Sequence, residues 1–174
     1  MGGTRTKLLN RGLRLEYMTL GWNVVGVVVV VIAALSARSV ALAGFGLDSL
    51  IEIFASVVVV WELTGMASHD RQQRALRLIG AAFFVLAVYI AGQAAYVLIT
   101  RGHPRSSPLG IGWTAMTCAA MVALAAGKVA TGRALDNPVL RSEGRVTLVD
   151  AYLAGAVLVG LILNAAAGWW WADP

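Results

Sequence analysis

The sequence has few charged residues. Asp, Glu, Lys and Arg together occupy 13% of its 174 positions, whereas hydrophobic residues occupy 59% and the mean hydropathy is +0.75. A soluble domain contains about 25% charged residues. With so little charge the chain cannot cover its surface with groups that favour water, so its outer surface must face lipid. The composition therefore predicts an integral membrane protein and leaves no room for a sizeable soluble domain.

Cysteine and histidine are also scarce. The single cysteine, Cys118, lies in an apolar run, which excludes a disulfide framework and a cysteine-based metal motif. We interpret it as a small packing residue. His69 and His103 fall in predicted loops on opposite sides of the membrane, where we expect them to be solvated. The alternative for His69 is a role in metal access.

Five apolar segments are long enough to cross a hydrocarbon core of about 30 Å at 1.5 Å per residue. In lipid every backbone polar group must pair within its own segment, so even the β-branched run 24–31 is predicted to be helical. The prediction is an all-α bundle of about five transmembrane helices in a single domain, with turns at residues 36–39, 67–73, 101–108 and 131–138. The predicted spans are 17–35, 39–61, 77–99, 111–130 and 146–163.

The basic residues lie in short segments between the apolar runs, so the net charge of +5 does not indicate binding to nucleic acid. The first apolar run has no A-x-A-like cleavage site and is predicted to be retained as a span. With the N-terminus in the cytoplasm, the positive-inside rule is satisfied by a large excess of Lys and Arg in the inside segments. We therefore predict a multi-pass protein of the inner (plasma) membrane with a cytoplasmic N-terminus. The inside set is Arg5, Lys7, Arg11, Arg14, Arg71, Arg74, Arg77, Lys128, Arg133, Arg141 and Arg145, and the outside set is Arg38, Arg101 and Arg105.

Two acids lie in the middle of the second span. Asp48 and Glu52 are four residues apart, about 400° of helical rotation, so their carboxylates share one face of the helix. Two unpaired carboxylates in hydrocarbon cost several kcal/mol and repel each other, unless a shared cation or partial protonation offsets that cost. The acids that flank the spans are interpreted as having no special role: Glu16, Glu62, Asp70, Asp136 and Asp173.

The fifth span supplies a third buried acid, Asp150. Glu143 lies seven residues earlier and hence on nearly the same face, with Thr147 between them. Packing of the second span on the fifth would bring together three or four oxygen-bearing side chains, an arrangement that divalent cations prefer. Two alternatives stay open: the aspartate forms an inter-helix hydrogen bond, or Glu143 pairs with Arg141 or Arg145. Asparagines in the first and fifth spans, Asn23 and Asn164, are interpreted as inter-helix hydrogen-bonding residues.

Over residues 23–174 the chain resembles the cation diffusion facilitator family of metal/proton antiporters. The second span of that family carries an acid or histidine followed four residues later by an acid, after a stretch rich in small residues. The segment 39–56, SVALAGFGLDSLIEIFAS, is similar. The resemblance implies that Asp48 and Glu52 occupy two of the family's metal-ligand positions.

The fifth span of the family carries a second ligand pair, and the segment 141–150, RSEGRVTLVD, aligns with it. Asp150 matches the second member of the pair, but Val146 stands at the position of the fourth ligand. The resemblance therefore implies a complete site only if Glu143 or water substitutes. The ending 168–174, GWWWADP, resembles the link before the family's sixth helix, so we expect a small member without that helix and without the usual cytoplasmic domain.

The resemblance implies a transporter rather than an enzyme. Asp48, Glu52, Asp150 and Glu143 would bind a divalent cation from the cytoplasm near the bilayer midplane, and protons would replace it after the helices rock. No matched ligand position holds a histidine, and such an all-oxygen set favours Mn²⁺ while tolerating Zn²⁺, Co²⁺ and Fe²⁺. Family members usually dimerise, so a homodimer in the lipid bilayer is expected.

Two other functions are compatible with the sequence. The first is a non-transporting relative that acts as a partner subunit or metal sensor, which Val146 and the missing sixth helix would favour. The second is a membrane enzyme, such as a hydrolase that uses paired carboxylates. The enzyme is disfavoured because no nucleophile, histidine base or phosphate-binding loop accompanies the acids.

Overall fold

The computed structural model describes residues 2–65, 68–100 and 104–172. These residues form five α-helices, a short 3₁₀ turn and no β-strand. Each of the five helices is long and apolar enough to cross a membrane. The predicted all-α fold with about five spans is confirmed, and the chain is a multi-pass membrane protein. The elements are α1 (Gly2–Ala37), α2 (Val40–Thr64), α3 (His69–Thr100), α4 (Pro108–Ala134), α5 (Pro138–Ala167) and the 3₁₀ turn (Trp170–Ala172).

Polar side chains fix the starts of three helices. The Oγ atoms of Ser39 and Ser107 and Oδ1 of Asn137 each accept a hydrogen bond from the backbone N–H three residues later, at 3.1, 3.1 and 2.8 Å. Pro108 and Pro138 follow the last two caps in the first turn, where a missing N–H costs nothing. The starts of α2, α4 and α5 are therefore set by local sequence.

Helices extend into all four predicted turns, by one or two residues at 36–39 and 101–108 and by more at the other two. Helix α3 already begins at His69, and α4 continues to Ala134, so parts of 67–73 and 131–138 are helical. The reason is that polar residues at the membrane surface continue the backbone ladder into water, beyond the apolar run that marks the span. His69 is thus an exposed first residue of α3 rather than a loop residue. The predictions for Arg101, His103, Asp173 and Pro174 lie outside the described residues.

Consecutive helices alternate in direction across the bundle. At one end, the N–H of Arg105 before α4 donates to the carbonyl of Ala37 at the end of α1, at 2.7 Å. At the other end, Asn137 before α5 hydrogen-bonds Glu62 near the end of α2. Helix α4 packs most extensively on α5, α1 packs on α2 and α4, and α3 lies at the side against α2 and α5. Helices α1, α2, α4 and α5 therefore enclose the interior.

The interior of this bundle contains ionisable groups beside three apolar clusters, and its exterior is apolar. Large apolar side chains stand exposed on every helix, including Leu35, Phe54, Phe84, Met116 and Val149. Ionisable side chains are turned inward on four helices. This inversion of the soluble pattern supports contact of the outer faces with the lipid bilayer. The buried ionisable residues among those described are Glu16, Asp48, Glu52, Glu62, Lys128, Glu143 and Asp150.

Candidate functional site: a buried carboxyl cluster between the second and fifth helices

Three predicted site residues meet between α2 and α5. Asp48, Glu52 and Asp150 are 3%, 1% and 4% exposed. The carboxyl group of Asp150 is close enough to those of Asp48 and Glu52 to interact electrostatically with both. The four-residue spacing on α2 sets the first pair side by side, and the packing of α5 supplies the third group. We call these three residues the carboxyl cluster.

Neutral polar groups orient one member of the carboxyl cluster. Asn23 on α1 donates from Nδ2 to Oε2 of Glu52 at 3.2 Å, and Thr147 on α5 donates from Oγ1 to Oε1 of Glu52 at 3.4 Å. Both donors are buried. No hydrogen-bond donor among the described residues reaches Oδ2 of Asp150, which is also buried. Two donors thus orient Glu52, whereas Oδ2 of Asp150 has none among the described residues.

The sequence interpretation of Lys128 and Glu16 was wrong. Lys128 was counted with the cytoplasmic basic residues and Glu16 with the acids of no special role, yet both side chains are fully buried. The ammonium nitrogen of Lys128 lies 2.5 Å from Oε1 of Glu143 and 3.2 Å from Oε2 of Glu16. We call Glu16, Lys128 and Glu143 the lysine triad.

Glu143 lies beside the carboxyl cluster but its charge partner is Lys128 rather than Arg141 or Arg145. Oε1 of Glu143 is also 3.4 Å from Oγ1 of Thr147. The predicted shared face of the helix is therefore present, whereas the arginine alternative is wrong. Glu143 pairs with the buried lysine of α4, whereas Arg145 is exposed, Arg141 is half-buried and neither forms an ion pair with Glu143. Whether Glu143 is a metal ligand stays a prediction.

Two signals in the sequence could have revealed the lysine triad. Glu16 shares a face of α1 with Thr19 and Asn23, at spacings of three and seven residues, and all three are buried. Lys128 lies before the end of the apolar run 111–130 rather than after it. An intramembrane lysine normally pairs with an acid on another helix, so the position of Lys128 predicts an acidic partner on a neighbouring helix.

Glu62 is a further acid that the sequence reading left without a role. It is 4% exposed, and both of its carboxyl oxygens accept hydrogen bonds from Nδ2 of Asn137, at 3.2 and 3.0 Å. Because Oδ1 of Asn137 caps α5, this contact ties the end of α2 to the start of α5. A cavity of about 220 Å³ adjoins the pair, bounded also by Arg5 and Gln72. The role of Glu62 is structural in this arrangement.

The donor types of the carboxyl cluster suit a hard cation. Carboxylate, hydroxyl and amide oxygens are the ligands that divalent cations such as Mn²⁺ accept. Val146, at the position aligned with the family's fourth ligand, supplies an apolar side chain and no donor atom. Within the ranges that the structure describes, no group of three or more His, Cys, Asp and Glu side chains is arranged so that it could hold a metal ion.

The fold and the cluster define a class: a helical multi-pass membrane protein with ionisable groups in its interior. No family model matches the chain. The resemblance to the cation diffusion facilitator family therefore stays a prediction based on the second- and fifth-span segments.

Proposed function

We propose that the protein is a divalent cation transporter that exchanges the cation for protons at Asp48, Glu52 and Asp150. One observation carries the proposal: three carboxyl groups from two facing helices meet in the interior of a membrane bundle. Carboxyl groups that only stabilise a membrane fold are normally paired with donors or cations. Oδ2 of Asp150 has no hydrogen-bond partner among the described residues, as is also true of Oε2 of Glu143, which supports a role for an incoming ion in this interior.

The charge balance of the interior supports exchange rather than permanent binding. The carboxyl cluster and the lysine triad together contain five acids and one lysine, all buried. A surplus of negative charge at low dielectric is unstable, so protons or cations must neutralise it in every state of the protein. A cation that leaves is therefore replaced by protons on the same oxygens, which couples the two movements.

The chemistry of the donors directs the proposal to hard or borderline cations. The site offers oxygen ligands alone, so Mn²⁺ fits best, and Zn²⁺, Co²⁺ and Fe²⁺ remain acceptable cargo. We further propose that the protein is a homodimer in the inner (plasma) membrane. Its N-terminus lies in the cytoplasm, and it moves the cation out of the cytoplasm. The excess of basic residues at the starts of α1, α3 and α5 and at the end of α4 supports this orientation.

Liposomes that contain the purified protein and a Mn²⁺-sensitive dye test the proposal. We expect Mn²⁺ flux that a proton gradient accelerates, and Mn²⁺ binding that acidifies a weakly buffered solution. Asp48→Asn/Asp150→Asn keeps the side-chain shapes and should reduce flux to the level of empty liposomes. Asp70→Asn, at an exposed acid in the first turn of α3, is the matched control and should transport normally. Equal flux from the wild type and the double variant would sink the proposal.

The second candidate function is that of a metal sensor or partner subunit without transport. Val146 favours it, because an apolar residue where a ligand is expected weakens the site. A protein that binds Mn²⁺ or Zn²⁺ but shows no flux in liposomes would be a sensor. A protein that binds neither ion at micromolar concentration would be a partner subunit.

A further inference from the structure

Lys128 is a fixed positive charge inside the bundle. Its side chain is fully buried on α4, where a charged group is stable only if nearby groups compensate it. Its ammonium group has three N–H donors. Three oxygens surround it: Glu143 Oε1 at 2.5 Å, Glu16 Oε2 at 3.2 Å and Thr147 Oγ1 at 3.3 Å. Glu143 Oε1 and Thr147 Oγ1 accept hydrogen bonds from the ammonium group, whereas Glu16 forms an ion pair with it and no hydrogen bond.

A single hydroxyl group separates Lys128 from the carboxyl cluster. Oγ1 of Thr147 lies 3.3 Å from the ammonium nitrogen of Lys128 and 3.4 Å from Oε1 of Glu52. The same hydroxyl lies 3.4 Å from Oε1 of Glu143. The hydroxyl group of Thr147 is thus in contact with Glu143, which pairs with the lysine, and with Glu52, which belongs to the carboxyl cluster.

Close packing of α4 on α5 holds the lysine against Glu143. Gly144 follows Glu143, and a Cβ atom at this position would lie 2.8 Å from Cβ of Lys128 and 2.9 Å from the backbone nitrogen of Val129. Both distances are shorter than carbon atoms tolerate without movement of the helices. The absence of a side chain at Gly144 is what lets the two helices come this near.

We propose that Lys128 acts as a built-in cation that holds Glu143 out of the metal-ligand set and limits that set to Asp48, Glu52 and Asp150. This inference rests on the proposed function. Lys128 is a positioning residue in it, because the lysine acts on the transported ion through Glu143 and Glu52. When Glu143 loses its charge, the nearest acidic acceptor beyond Glu16 is Glu52, across Thr147. The ammonium group then competes with the metal for a ligand.

The proposal predicts that removing the lysine restores the Mn²⁺ affinity of a Glu143 variant but not that of a Glu52 variant. Glu143→Gln should weaken Mn²⁺ binding by about tenfold, because the ammonium group turns toward Glu52. Adding Lys128→Met should return the affinity to within about threefold of wild type, because lysine and partner are removed as a unit. Glu52→Gln with Lys128→Met is the matched control. It has the same formal charge change but lacks a ligand, so its binding should stay at least about tenfold weak.

The measurement is the free Mn²⁺ signal in electron paramagnetic resonance, titrated against the purified full chain in detergent. Rescue of Glu143→Gln without rescue of Glu52→Gln supports the proposal. If Lys128→Met rescues neither variant, Glu143 is itself a ligand; if it rescues both, the effect is one of general charge. Either result overturns the proposal. The proposal is also overturned if Glu143→Gln alone binds Mn²⁺ with wild-type affinity. If Glu143→Gln alone does not give a monodisperse protein, the Mn²⁺ affinities of the two double variants are compared directly. The proposal then requires the variant that keeps Glu52 to bind at least about tenfold more tightly. A wild type that binds no Mn²⁺ refutes the proposed function instead, and the inference falls with it.

Discussion

Glu52 has hydrogen-bond donors on both carboxyl oxygens, whereas no donor among the described residues reaches Oδ2 of Asp150. Buried carboxylates with fixed partners keep one orientation, and partners of this kind tune a metal ligand without touching the metal. Asn23 and Thr147 therefore orient Glu52, whereas Oδ2 of Asp150 has no donor and is the oxygen that would contact the proposed cation. The two acids differ in role although both were found from their position in an apolar run.

Asn23→Ala tests this orientation at the residue scale. Loss of the amide leaves Oε2 of Glu52 without its donor, so we expect Mn²⁺ affinity to fall by about tenfold. Asn164→Ala is the control, because Asn164 donates to the carbonyl of Pro104 at the far end of the bundle, at 3.2 Å. Titration of both purified variants with Mn²⁺ measures the effect. Equal affinities for the two variants would contradict an orienting role for Asn23.

Lys128 is a residue for which counting charges by segment does not predict the position of the side chain. Lys128 falls near the end of its apolar run, so counting charges by segment assigned it to the cytoplasmic face. The side chain instead points inward to Glu16 and Glu143. The direction of a side chain depends on the rotation of the helix about its axis, which a count of Lys and Arg does not contain. Without this residue the inside set still holds ten basic residues against three in the outside set.

At the scale of helices, glycines decide how near α4 comes to its neighbours. A Cβ at Gly132 would lie 2.7 Å from the backbone nitrogen of Arg141, and one at Gly144 would meet Lys128 and Val129 just as closely. Small residues of this kind let membrane helices pack backbone against backbone. The close approach in turn places Glu143 and Thr147 beside Lys128.

Gly144→Ala tests the link between packing and stability. The added methyl group forces α4 and α5 apart, so we expect a loss of about 1–3 kcal/mol in the free energy of unfolding. Gly80→Ala in α3 is the control, because a Cβ there meets nothing within 4 Å and alanine favours the helix. Thermal unfolding in detergent compares the two. A Gly144→Ala variant as stable as the control would show that the helices are not held this closely.

At the scale of the whole molecule, the ends of the helices define two surfaces with different charge. The start of α1, the end of α2 and the α4–α5 connection share one end of the bundle, where Arg5, Glu62 and Asn137 adjoin one cavity. Most of the basic residues belong to this end. The alternating arrangement agrees with the predicted topology, and the positive-inside rule predicts that this end faces the cytoplasm.

Labelling of introduced cysteines tests that orientation. In a Cys118→Ser background, Ser68→Cys lies between α2 and α3 and Ser106→Cys lies between α3 and α4, and both positions are exposed. A membrane-impermeant maleimide should label Ser106→Cys in intact cells, and Ser68→Cys only after the membrane is permeabilised. The reverse pattern would place the N-terminus outside and turn the proposed efflux into uptake.

The sequence by itself determined the features that depend on local geometry and composition. Apolar length fixed the existence of the spans, because lipid forces every backbone group into helical hydrogen bonds. The spacing of Asp48 and Glu52 fixed their shared face, because four residues make about one helical turn. The same spacing rule placed Glu143 and Asp150 on one side of α5.

Only the tertiary structure decided which faces meet. The contacts of Lys128 with Glu16 and Glu143, and of Glu62 with Asn137, join residues on different helices. Their formation depends on the rotation and separation of helices that are far apart in the chain, and no local rule contains these quantities. The sequence predicts three buried acids on two spans, and the structure adds further buried groups to them. Lys128 of α4 compensates part of the negative charge of this network.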